Sequence, residues 1–147
     1  MKVIMITALV LMLGFPLLLS AQNADRILGT WYNGERSSKI EIVKTTSGAY
    51  QGRIVWLAEP NDEAGNPKVD VRNPNREHRS RPLMRLVILT GLQFKEGNRF
   101  DSGRIYDPKS GNTYSCKAEL RNNNTLALRG FMGVSLIGRT DVWTRAQ

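Results

Sequence analysis

The sequence predicts an all-β protein, an antiparallel up-and-down (meander) β-barrel of about eight strands. Three observations predict it. From residue 29 onward the chain is a run of short alternating segments separated by turn residues, the spacing typical of sandwiches and barrels. No stretch of a dozen residues carries helical periodicity beyond the first 21. Gly52, Gly103, Gly130 and Gly138 all fall inside strand patterns. Glycine weakens a strand unless the strand bends sharply or something passes close by. Small barrels need such places repeatedly, which favours a barrel over a sandwich.

The elements follow in order. Asn23 to Leu28 can form one helical turn capped by Asn23. Gly29 to Asn33 then opens the sheet. Lys39 to Lys44 alternates with Ile40 and Ile42 inward, and Tyr50 to Leu57 places Tyr50, Gly52, Ile54 and Trp56 on one face. Leu83 to Leu89 is nearly continuous in apolar residues and reads as a covered or central strand. Leu92 to Lys95 and Arg99 to Tyr106 flank the hairpin signal Glu96-Gly97-Asn98. Asp107 to Asn112 is a turn in which Pro108 presets φ and Gly111 permits a positive one. Thr113 to Arg121 and Thr125 to Phe131 flank Asn122-Asn123-Asn124, and Leu136 to Arg145 closes the domain.

Residues 1–21 have the layout of a secretory signal peptide: Lys2, an uncharged apolar run from Val3 to Leu19, then Ser20-Ala21. Residues 22–147 are expected to form a single domain. The expectation is an exported protein, periplasmic or secreted, monomeric and not membrane-spanning once the leader is removed. The net charge is +8, which favours contact with anionic surfaces. The basic residues are scattered and interleaved with acids, which argues against nucleic acid as a partner. One cysteine cannot close an internal bridge. Cys116 shares its strand face with Tyr114, Ala118 and Leu120, and is expected to be a buried structural thiol.

Residues 58–82 are the least strand-like part of the domain. The first half of this long charged loop is acidic (Glu59, Asp62, Glu63, Asp70) and the second basic (Arg72, Arg76, Arg79, Arg81). Either the loop folds over the barrel mouth and offers its arginines to a carboxylate or phosphate, or its opposite charges pair on a solvated surface. Deleting Glu59 to Arg81 should weaken any ligand affinity while leaving the melting curve nearly unchanged. No catalytic, metal or cofactor site is expected. His78 is the sole histidine, Asn61-Asp62-Glu63 lacks calcium-loop spacing, and Ser102 and Ser135 have no nucleophile elbow. Asp101 and Asp141 are the only strand-embedded acids, and Asp141 shares a face with Arg139 and Trp143.

Tyr50, Trp56, Phe94, Tyr114, Phe131 and Trp143 are the expected lining of the barrel interior, with Arg85 and Arg139 as polar fixtures. A hollow interior would bind a small, largely apolar ligand with an anionic end, without catalysis. A filled one would leave a basic outer face, including Arg53, Arg104, Lys117, Arg121 and Arg129, to meet an anionic envelope component or a protein partner.

Gly29-Thr30-Trp31 resembles the opening of lipocalin-like (calycin) barrels. In those the Trp plugs the closed end under a basic residue of the last strand, here Arg139 or Arg145. A broader set of motifs follows in order: Gly52-Arg53-Ile54-Val55-Trp56-Leu57, Asn73-Pro74, Arg81-Pro82-Leu83, Gly103 to Pro108, Gly111 to Tyr114, Arg129-Gly130, Gly138-Arg139-Thr140 and Trp143-Thr144-Arg145. With these the chain resembles the exported bacterial family catalogued as domain of unknown function 2147. The resemblance implies a compact calycin-type barrel and no particular activity. It departs at Arg85, where the family pattern has Gly, and at Met84, where many relatives carry Cys.

Overall fold

A computed structural model of the chain describes residues 23–134 and 136–147; the expected leader lies outside them. Eight strands run β1 (Gly29–Tyr32), β2 (Ser38–Lys44), β3 (Tyr50–Leu57), β4 (Val87–Glu96), β5 (Arg99–Asp107), β6 (Asn112–Asn122), β7 (Thr125–Phe131) and β8 (Gly138–Arg145). Each pairs antiparallel with the next, and β8 returns to β1 through Trp31–Arg145 and Tyr32–Thr144. The sheet therefore closes as the expected meander barrel. Closure leaves no open edge for another chain to pair with.

A meander alternates its connections between the two ends. The β2–β3, β4–β5 and β6–β7 turns lie at one end, here called the base, together with residues 23–28. The β1–β2, β3–β4, β5–β6 and β7–β8 connections lie at the other, the mouth.

The base is sealed. Trp31 is fully buried and its indole N–H donates to the Ile27 carbonyl at 2.9 Å. The Arg145 guanidinium lies 4.1 Å from the Trp31 ring centre. It also donates to the carbonyls of Arg26 (2.7 Å), Leu28 (2.8 Å) and Asn123 (2.6 Å). Of the two arginines that could have covered Trp31, the structure uses Arg145. Burial lowers its pKa.

Above the seal the axis is occupied. Tyr50, Leu89, Leu92, Phe100, Leu120, Leu126, Leu128 and Trp143 are all buried. Phe100 meets Tyr50 and Phe94 edge-to-face, each at 5.6 Å between ring centres, a favoured aromatic geometry. Two strand glycines are part of this packing. A methyl on Gly52 would come within 2.9 Å of Ile40 Cγ2, and one on Gly103 within 2.9 Å of Leu92 Cδ1. These positions are glycine because neighbouring side chains already fill the space. Of the rings expected to border a hollow, Tyr50 and Phe94 instead pack on Phe100.

Three interior assignments are corrected, one of them Arg139, which is exposed on β8. The β2–β3 register slips between Lys39 and Ile40, so that Ile40 opposes Ile54 while Lys39 opposes Trp56. Val55 is the extra residue of this bulge. Because side chains alternate faces, one extra residue sends Trp56 outside. There its ring stands edge-on to Tyr32, 6.0 Å between centres, with Lys39 Nζ 5.2 Å away. Arg85 is exposed and precedes the strand, since β4 begins at Val87 and not at Leu83. Arg85 adopts φ 74, the left-handed conformation that glycine takes most readily, in keeping with the glycine that the resemblance implies there.

Cys116 is buried as expected, and burial pushes its thiol pKa up to about 12. In the native protein it should therefore resist a thiol reagent such as DTNB and react only as the barrel unfolds. Rapid stoichiometric labelling under native conditions would contradict the buried assignment.

Candidate functional site: the barrel mouth

The β3–β4 connection dominates the mouth. It contains two isolated antiparallel bridges, Asn61–Pro67 and Val69–Pro82, and a short 3-10 turn at Arg76–His78 capped by the Asn75 side chain. Asp70 holds it in place. This carboxylate is 1% exposed and accepts hydrogen bonds from Tyr106 Oη on β5 (2.6 Å) and from Asn73 Nδ2 (2.7 Å). Burial, aided by Asp70, raises the Tyr106 pKa to about 12. Further along, the Arg72 carbonyl passes so close to the β5–β6 turn that a methyl on Gly111 would lie 2.1 Å from it. The connection is therefore docked on the barrel, as in the first of the two alternatives for this loop.

Between this loop and the neighbouring turns lies a groove of about 730 Å³. Leu57, Val69, Val71 and Leu83 supply apolar surface. Arg36, Lys68, Arg72 and Lys109 contribute positive charge, and Glu35, Glu59 and Asp62 negative charge. Lys109 Nζ reaches Glu35 Oε2 at 2.5 Å, tying the β5–β6 turn to the β1–β2 turn. The Lys109 ammonium holds the Glu35 carboxyl below its usual pKa. Lys68 pairs with Glu59 at 3.5 Å, and the Arg36 guanidinium stacks 3.9 Å from the Tyr32 ring centre.

Of the four loop arginines singled out from the sequence, Arg72 lines the groove. Arg76 sits in the 3-10 turn, Arg79 Nε donates to the Asn73 carbonyl at 2.8 Å, and Arg81 is exposed. His78 lies in the same 3-10 turn. None of Tyr50, Trp56, Arg85, Phe94, Tyr114, Phe131, Arg139 or Trp143 lines the groove. Tyr50 belongs to the base, where its hydroxyl donates to Asp25 at 2.8 Å. Tyr114 and Phe131 are half-buried and Arg139 is exposed. Trp143 donates its indole N–H to Asp141 at 2.8 Å. Sequence reading missed the contributions of Arg36, Lys68, Lys109, Leu57, Val69 and Val71. The available signal was connection parity, since in a meander the first, third, fifth and seventh turns converge. Among the described residues no cluster of three or more His, Cys, Asp or Glu side chains could hold a metal ion.

A second concavity, about 500 Å³, lies on the outer wall of β4 to β8 and includes Lys95, Arg99, Lys117, Arg121 and Arg129 with Glu96, Asp101 and Glu119. Arg53, also expected on a basic face, is bound to Glu41 by two hydrogen bonds of 2.9 and 2.7 Å.

A closed eight-stranded meander, sealed at its base by a tryptophan beneath an arginine and bearing a loop-lined groove at its mouth, is a lipocalin-like barrel. Among solved structures it is similar to protein HP1028 from the human pathogen Helicobacter pylori, described as belonging to the lipocalin family. The TM-score is 0.72 and the identity 21%, over 82% of this chain and 83% of that one. The family model described as "Uncharacterized protein conserved in bacteria (DUF2147)" matches residues 29–145, and the chain belongs to that family. No curated protein matches it.

Proposed function

We propose that this is an exported, non-catalytic binding protein that holds a small, largely apolar molecule with an anionic end in the mouth groove. The export part of the reading rests on the leader pattern of residues 1–21. One observation carries the binding part: the groove joins apolar surface from Leu57, Val69, Val71 and Leu83 to the guanidinium groups of Arg36 and Arg72. Apolar walls with a few placed polar groups are the usual makeup of small-molecule sites. The packed axis argues for a ligand seated at the mouth, above the core.

Calorimetric titration with a medium-chain fatty acid such as laurate tests the reading. Arg72→Ala should weaken binding about tenfold, the worth of a charge-assisted hydrogen bond. Val71→Asp should weaken it further by placing a carboxylate against the chain. Laurate binding that ignores both substitutions, or no binding together with a bare native mass of the purified protein, would overturn the proposal. The outer-wall concavity of β4 to β8 supports a second reading, a basic module that meets an anionic envelope component or a protein partner.

A further inference from the structure

We propose that the β7–β8 connection is a membrane-surface anchor, whose apolar tip enters the interfacial layer of a bilayer with anionic headgroups. Eight large hydrophobic residues are exposed among the described residues, and four of them fall in this one turn: Met132 (65%), Val134 (59%), Leu136 (90%) and Ile137 (74%). The rest are scattered over other elements. Single exposed apolar side chains need no explanation, but a contiguous cluster on a soluble surface marks a contact site.

The turn is built to hold its tip outward. Gly133 has φ 75, and the Ile137 N–H donates to the Val134 carbonyl at 3.1 Å. Gly138 starts β8 where a methyl would lie 2.6 Å from the Gly130 carbonyl oxygen and 2.8 Å from Phe131 Cβ. The two arms of the turn can therefore close tightly at its root. Arg129 clasps the root, donating to the Leu136 carbonyl and to Thr140 Oγ1, each at 3.1 Å. The side chains of the tip are left facing solvent while its backbone is tied down.

Charge selects the occupant. Arg129 and the exposed Arg139 flank the apolar tip, and Arg139 acts electrostatically on Glu35 across the mouth. The chain as a whole carries +8. Positive charge beside an apolar tip matches an anionic lipid surface, where apolar burial and attraction to headgroups add. The same charge opposes packing of the tip against a second copy of this chain. By the meander's parity the tip shares its end of the barrel with the groove, so anchoring would turn the groove toward the lipid.

The test is co-sedimentation of the protein, purified from its producing cells with its N-terminus established by mass, with vesicles of phosphatidylcholine alone or with 30% phosphatidylglycerol. The wild type should bind the anionic vesicles preferentially. Leu136→Ser with Ile137→Ser should lower partitioning about tenfold or more, and Arg139→Gln about fivefold at low salt. The melting curve should not move, because these side chains are exposed. The idea is overturned if neither vesicle binds the protein. Binding that survives the serine pair while Lys117→Gln with Arg121→Gln abolishes it would overturn it in favour of the outer wall. A concentration-dependent dimer broken by the serine pair would overturn it in favour of self-association. Leu136→Ser with Ile137→Ser should leave laurate binding in the groove unchanged, which separates failure of the anchor from failure of the groove.

Discussion

Replacing Arg145 by alanine is expected to destabilise the barrel by about 3 kcal/mol, from lost charge-assisted hydrogen bonds and a lost cation–π stack. The substitution strips three carbonyl oxygens, on Arg26, Leu28 and Asn123, of their guanidinium donor and uncovers the buried face of Trp31. Urea unfolding should show the midpoint falling with the slope unchanged. Arg145→Lys should restore little of the loss, because one ammonium cannot serve three carbonyls and stack on an indole at once. A lysine variant as stable as the wild type would show that charge alone, and not the shape of the guanidinium, closes the base.

Asp70→Ala is expected to cost about 2–4 kcal/mol, because two hydrogen bonds to a charged, buried acceptor disappear together. Tyr106 and Asn73 lose their shared partner, and the β3–β4 connection loses its tie to β5. Asp70→Asn should recover only part of this. It keeps an acceptor for Tyr106, but turns an amide donor toward the donor Nδ2 of Asn73. Hydrogen exchange gives the local readout. The Asp70 and Leu83 amides, bonded to the carbonyls of Arg81 and Lys68, should lose protection while the Leu89 and Leu92 region keeps its own. Unchanged protection at Asp70 and Leu83 would show that the loop is held by other contacts.

The barrel was legible because its evidence is local and periodic. Alternation in Lys39 to Lys44 and Thr113 to Leu120, the hairpin signals at Gly97 and Asn123, and the inward glycines each constrain the answer independently. Trp56 was not legible, because a bulge changes which face a side chain occupies without changing the composition of the strand. Arg85 was misplaced for a related reason: an apolar run looks like strand even where the backbone turns left-handed between Met84 and Leu86. The groove escaped notice because its residues come from three separate connections. Asp70 escaped because a lone aspartate in a charged loop gives no sign that it is buried. Its partner Tyr106 lies on another element, and their meeting is a tertiary fact.

The joint between the first and last strands is the shortest in the sheet, with two registered residue pairs where β7 and β8 have seven. Arg145 is one of the two residues β8 contributes to that joint, and it also grips the backbone ahead of β1. The cylinder therefore fastens through residues at opposite ends of the domain, and an emerging chain remains an unsealed ribbon with two bare edges until its final strand is free to reach back. Such a ribbon stays unfastened for nearly the whole of its synthesis.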